Sequence, residues 1–202
     1  MKELTLEITS KCQLKCPWCS SEASPKGEHV DLGRVVSRLR EYRESCNVVR
    51  LSGGEPTLHP RLHEIVGESK RLNYQVVLLT NGLERYLHRL IDEYVVHIVS
   101  DEGLKFLRVL RNANYLVSGQ VVLVRGNEFW VGEGIERCLA LDIPIKLTVL
   151  QKQGRGIGCE PLELVSWTGI HGCLKENKIT ITHDDRVITC SALKEGECSL
   201  KP

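Results

Sequence analysis

The stretch ITSKCQLKCPWCSSEAS, residues 8–24, carries Cys12, Cys16 and Cys19 in the spacing C-x-x-x-C-x-x-C. An odd number of thiols does not complete a disulfide framework. Three thiolates are also one short of a closed tetrahedral zinc site. Cubane iron–sulfur clusters take four cysteines as a rule, so three would leave one iron open to an exogenous ligand. The loop follows LTLEIT (4–9), which reads as a strand, so the three cysteines sit just past a strand end.

Working outward, strand-like and helix-like segments alternate from the N-terminus to about residue 150. DLGRVVSRLREYRES (31–45) predicts a helix with Asp31 as N-cap and Leu32, Val35, Val36, Leu39 and Tyr42 on one stripe. NVVRLS (47–52) predicts a second strand, and a helix follows near 60–72. QVVLLT (75–80) and LERYLHRLIDE (83–93) predict the third strand and helix. VVHIVS (95–100) with LKFLRVLRN (104–112), then GQVVLVR (119–125) with a helix near 128–141, make two further pairs, and IKLTVL (145–150) is a sixth strand. Strands this rich in Val, Leu and Ile are those of a parallel sheet. The repeats imply an α/β architecture, either an open doubly wound sheet or a partial (β/α)6 TIM-like barrel. After residue 151 the pattern changes. QKQGRGIGCEP is glycine-rich, and KITITHDDRVITC (178–190) reads as a β-hairpin turning at His183-Asp184-Asp185. The expectation is a core over 1–150 and a small β-hairpin, cysteine-containing extension over 151–202.

With 202 residues, 42% hydrophobic, the chain has enough apolar content for a real core. Lys and Arg number 27 against 26 Asp and Glu, so bulk charge indicates neither nucleic acid nor membrane as partner. The start lacks the apolar run of a secretory signal, and no stretch approaches the roughly 20 apolar residues of a membrane span. These features lead to the expectation of a soluble, cytoplasmic protein. Nine cysteines in a reducing compartment read as metal ligands or catalytic groups before disulfides. Cys46 and Cys138 read as buried structural thiols, and His59 as a polar loop residue.

Loops at the C-terminal ends of parallel strands open on one face, where active sites sit. Here those loops are the cysteine loop, SGGEPTLHP, TNG, SDEG, RGN and QKQGRG, in chain order. Gly53-Gly54-Glu55 offers unobstructed backbone followed by a carboxylate, a pair suited to an ammonium group. Separately, TNG and SDEG are ordinary turn chemistry.

The cysteine spacing after the first strand, Trp18 before the third cysteine, LSGGEPTLHP after the second strand, then TNG, SDEG and VVLVRGN in order, resemble the radical S-adenosylmethionine superfamily over residues 1–150. The resemblance implies that Cys12, Cys16 and Cys19 ligate three irons of a [4Fe–4S] cluster and that S-adenosylmethionine binds the fourth through its amine and carboxylate. It implies that Gly53, Gly54 and Glu55 hold the methionine amino group and that Trp18 lies near the adenine. Ser100 and Asp101 would approach the ribose, with Asn81, and more weakly Asn127, lining the pocket. The implied activity is reductive cleavage to a 5′-deoxyadenosyl radical that abstracts a substrate hydrogen, fed by a low-potential donor such as ferredoxin or flavodoxin.

Cys159, Cys173, Cys190 and Cys198 remain, in an extension too small for much core of its own. A cysteine before a β-hairpin and another after it resemble the twitch and SPASM extensions of that superfamily, with Asp185 at the usual turn glycine. The four imply a second, auxiliary [4Fe–4S] cluster; structural zinc or free thiols are the alternatives. The substrate readings are a peptide or a small metabolite, with a partner protein as a further candidate substrate. Competing ones are a 7-carboxy-7-deazaguanine synthase-like reaction and activation of a glycyl-radical enzyme. An iron–sulfur electron carrier or zinc-binding module is the non-enzyme reading.

Overall fold

The computed structural model describes residues 2–150, 154–162, 178–181 and 187–189. Six strands, β1 (Glu3–Thr9), β2 (Val48–Gly53), β3 (Gln75–Thr80), β4 (Glu93–His97), β5 (Val117–Leu123) and β6 (Ile145–Val149), pair in parallel, each with the next in sequence. Helices α1 (Leu32–Tyr42), α2 (Leu62–Arg71), α3 (Asp101–Asn112) and α4 (Glu128–Ala140) follow β1, β2, β4 and β5. Two further strands, β7 (Lys178–Ile181) and β8 (Val187–Thr189), complete the order β6-β5-β4-β3-β2-β1-β7-β8. The sheet is an open, partial barrel, because β6 does not pair with the strands at the other edge. The two strands of the expected hairpin pair antiparallel with each other, and β7 joins the sheet parallel to β1; the turn expected at His183-Asp184-Asp185 lies outside the described residues. No helix among the described residues is long and apolar enough to cross a membrane.

Alternation along the strands separates two faces. Leu4, Leu6, Ile8, Val49, Leu51, Val76, Leu78, Val96 and Ile98 pack with helix residues such as Val35, Leu39, Ile65, Phe106 and Leu110 in the main core. The other face lines the barrel lumen. Val48, Val77 and Val95 with Leu79 form its small apolar cluster. Arg50 and Thr5 share that face and are buried, and the strand alternation puts His97 there too, two residues past Val95. Polar and apolar side chains therefore share this face, Thr5 and Arg50 standing level with Val77 in the register.

The helix expected at 83–93 is absent. The segment runs as irregular chain between β3 and β4. Its apolar stripe has helical spacing, but tertiary partners claim its polar groups. The His88 amide donates to the Tyr94 hydroxyl at 2.8 Å. Asp92 accepts from the Val76 amide at 2.6 Å and pairs with Lys70, while its own amide donates to the Val76 carbonyl. Elsewhere the local signals hold. Asp31 caps α1, its carboxylate accepting from the Gly33 and Arg34 amides. Cys46 and Cys138 are fully enclosed in the core.

A 3-10 turn at Gly154–Gly158 lies against the cysteine loop, where the Arg155 amide donates to the Cys19 carbonyl at 3.1 Å. The next residues meet the end of β5: the Arg125 amide donates to the Glu160 carbonyl, Leu162 donates to Leu123, and Val124 bridges Pro161. Residues 154–162 therefore strap the loop after β1 to the strand end of β5.

Two outcomes test this packing. A Cβ on Gly119 would stand 2.6 Å from the Cys138 sulfur and 3.0 Å from Ile98. Gly119→Ala should cost about 1–3 kcal/mol in urea unfolding, and adding Cys138→Ala should recover part of it, a coupling read from a double-mutant cycle. His97 Nε2 is shielded and unpartnered, and burial lowers the ring's pKa to about 4. Because the folded value lies below the unfolded one, the stability His97 contributes is complete above about pH 6.5 and is lost as pH falls toward 4. Unfolding free energy should drop by about 2 kcal/mol more in the wild type than in His97→Gln between pH 7 and pH 4.5.

Candidate active site at the barrel mouth

The cysteine loop is held by its own backbone before any side chain acts. Ser10 donates to Glu28, Ser24 to Ser10, Cys12 to Ser24 and Cys19 to Cys16. These bonds fold residues 10–28 into a compact lobe over the end of β1. The lobe is then joined to the end of β2: the Gly54 amide donates to the Thr9 carbonyl at 2.7 Å and the Glu55 amide to the Lys11 carbonyl at 2.8 Å. This approach is the physical need for the two glycines. A Cβ on Gly53, which holds φ of +117°, would lie 2.2 Å from the Thr9 oxygen, and one on Gly54 2.2 Å from the Lys11 oxygen.

Glu55 is buried, with 1% of its surface exposed. Its carboxylate accepts from the Thr57 amide at 3.2 Å, the Thr57 hydroxyl at 2.7 Å, the Thr80 hydroxyl at 2.8 Å and the Asn81 amide at 2.7 Å. Burial raises its pKa, and those donors oppose the rise. The sequence reading assigned Glu55 to an ammonium ligand; in the fold the carboxylate also ties the GGEP turn to the end of β3. Thr57 and Thr80 escaped the sequence reading, since hydroxyls three residues from a glycine pair or at a strand end carry no signal of their own.

Asn81, set in place by Glu55, directs its side-chain amide to the Cys12 sulfur at 3.8 Å and to Gln13 at 3.3 Å. The Leu14 amide donates to the same sulfur at 3.4 Å. Ser100 caps α3, its hydroxyl accepting from Gly103 at 3.2 Å. Asp101 begins α3 and lines a groove with Leu104, Lys105 and Arg108 and with Arg137 of α4, on the helical side of the sheet. Asn127 is buried and donates to the Val122 carbonyl at 2.8 Å. His59 is structural: Nε2 meets the Val30 carbonyl and Nδ1 accepts from Arg61. Cys159 lies beside the cysteine loop, its sulfur 3.5 Å from the Pro17 carbonyl. Cys173, Cys190 and Cys198 lie outside the described residues.

The donor set fits an iron–sulfur group. Cys12, Cys16 and Cys19 are free thiols. Burial raises Cys12 and pushes Cys16 up to about 11, and each is raised further by neighbouring cysteines. Cys12 and Cys16, held toward the protonated form by burial, are thiols that metal binding deprotonates. Trp18 Nε1 and Gln13 Nε2 are shielded polar atoms of this lobe without a protein partner, and the amides on the Cys12 sulfur are of the kind that tune cluster thiolates.

The family described as the Radical SAM superfamily matches residues 6–117. Over 160 residues the chain is 29% identical to a probable GTP 3′,8-cyclase of Methanococcus maripaludis, covering 74% of this chain and 50% of that protein. Over 109 residues it is 32% identical to the PqqA peptide cyclase of Gluconobacter oxydans, covering 52% of this chain and 29% of that protein. The chain thus spans half or less of these curated relatives. Among solved structures, Streptococcus suis SuiB bound to its precursor peptide SuiA superposes with a TM-score of 0.68 at 13% identity, over 93% of this chain and 59% of that one. AnSMEcpe with bound AdoMet gives 0.57 at 13% identity, over 73% and 52%.

Glu55→Gln tests the bracket. An amide there turns one acceptor into a donor facing the Thr80 hydroxyl or the Asn81 amide. Unfolding of the metal-free protein in urea should show a loss of about 1.5–3 kcal/mol, where an exposed carboxylate would show almost none.

Proposed function

Since the chain belongs to the radical S-adenosylmethionine superfamily, we propose that it reductively cleaves S-adenosylmethionine and uses the resulting radical to modify a peptide or a small metabolite. The observation that carries this reading is the junction of the three-cysteine lobe with the Gly53-Gly54-Glu55 turn through the Thr9 and Lys11 carbonyls. When bound, a [4Fe–4S] cluster and S-adenosylmethionine supply reductive scission of a sulfonium C–S bond, giving methionine and a 5′-deoxyadenosyl radical that takes a hydrogen atom from substrate.

Cys12, Cys16 and Cys19 provide the thiolates and leave one iron for the methionine end of the cofactor. The Gly53-Gly54 backbone, free of side chains, receives the amino group, and the Glu55 charge lies behind it. Asn81 donates toward the Cys12 sulfur and lowers the charge it must carry. Trp18 takes the adenine, and Ser100, at the start of α3, the ribose. Asp101 is assigned to the same region by the sequence resemblance alone. The strap at 154–162 limits water around the reacting centre, and His97, at the C-terminal end of β4, presents a polar group to substrate. A low-potential one-electron donor such as ferredoxin or flavodoxin completes the reaction. Cys159, Cys173, Cys190 and Cys198 are proposed to hold a second cluster; Cys159 and the β7–β8 hairpin both meet the loop or the strand that presents the first one. The peptide reading draws support from the PqqA peptide cyclase and from SuiB with its peptide.

Anaerobically reconstituted, reduced protein should form 5′-deoxyadenosine and methionine, and Cys16→Ala should abolish both. An assembled cluster that leaves S-adenosylmethionine intact under strong reductant would refute the reading. Iron content should be about eight per chain, falling to about four in Cys173→Ala/Cys190→Ala.

A further inference from the structure

Arg155 lies 38 residues beyond the family match, which ends at residue 117, yet it makes the densest set of contacts between the strap and the cysteine lobe. Its amide donates to the Cys19 carbonyl at 3.1 Å. Its Nε donates to the Cys16 carbonyl and its Nη2 to the Ala23 carbonyl, both at 2.9 Å. The guanidinium therefore spans the lobe from its second cysteine to its closing strand pair, and the main chain holds the third cysteine. Gly154 makes the approach possible. It has φ of +53°, and a Cβ there would stand 2.6 Å from the Ser20 oxygen and 2.8 Å from the Cys19 oxygen. The hydrogen bond from Nε to the Cys16 carbonyl sets the guanidinium charge beside the backbone of a proposed cluster ligand.

We propose that Arg155 is a positioning residue for the three-cysteine lobe, its fork fixing the Cys16 and Ala23 carbonyls while its fixed charge stabilises the electron-rich state of the cluster those cysteines hold. This rests on the reading that Cys12, Cys16 and Cys19 bind an iron–sulfur cluster. The two functions separate by chemistry. A planar fork reaches two carbonyls seven residues apart, which a lysine ammonium does not reproduce. A positive charge near the cluster favours the reduced form whether it comes from Arg or Lys, because reduction adds a negative charge in a poorly solvated site.

The test uses the full chain, reconstituted anaerobically, as wild type, Arg155→Lys and Arg155→Gln. Two quantities are measured: the rate of iron loss to a chelator, and the midpoint potential of the paramagnetic signal that shifts on adding S-adenosylmethionine. Iron loss should accelerate about tenfold in both variants. The potential should stay near wild type in Arg155→Lys and become more negative in Arg155→Gln. If Arg155→Gln does not fold, Arg155→Lys decides alone, and wild-type chelator resistance in it overturns the proposal. Unchanged iron loss and potential in both variants also overturn it. A wild type that takes up no cluster overturns the cluster reading, and this inference with it, so the two failures are told apart by the wild-type sample.

Discussion

A buried carboxylate organises the mouth of this barrel. Glu55 sits at the end of β2 in a place where an ion is costly, and four donors from Thr57, Thr80 and Asn81 surround it. Its main-chain amide, together with that of Gly54, reaches the Lys11 and Thr9 carbonyls. The loops after β1, β2 and β3 are consequently one hydrogen-bonded body. A group that asks three thiolates from one loop and a backbone cradle from the next needs those loops in fixed register. Asn81 extends the same network to the Cys12 sulfur, so a change at Glu55 would be felt at a cysteine on another strand.

The strap after β6 does for the far side of the lobe what Glu55 does for the near side. Gly154 and Arg155 press on Cys16, Cys19 and Ser20, and residues 160–162 return to the end of β5. This segment thus links the loop after β1 to the end of β5, four strands away in the sheet. Charge is distributed accordingly: carboxylate inside the bracket, guanidinium outside the lobe, the thiols of the cysteine loop between. Burial pushes Cys12 and Cys16 toward the protonated state, and a bound metal group would reverse that.

Much of the architecture was legible in the sequence because it follows from local periodicity. Runs of Val, Leu and Ile six residues long gave the six parallel strands, and Asp31 before Leu32 announced the start of α1. The region 83–93 misled for a physical reason. Its helical stripe is real, but Ile91 is buried and Asp92 is engaged by β3 and Lys70, contacts that arise only once β3 and β4 lie side by side. The antiparallel pair β7 and β8 was readable from alternation; that it would extend the sheet beside β1 was not, since pairing between strands so far apart in the chain leaves no local mark.

The candidate site divides in the same way. Sequence alone determined which residue types stand at the strand ends, and in what order: three thiols, then two glycines and a carboxylate, then an amide. That is chemistry carried by identity and spacing. Tertiary structure decided what each group touches. It enclosed the Glu55 charge among hydroxyls and amides, set Asn81 against the Cys12 sulfur, and brought Arg155 to a loop more than 130 residues earlier in the chain. Those contacts depend on how the sheet curves and where the chain returns, and such long-range geometry is not encoded in the spacing of any single stretch.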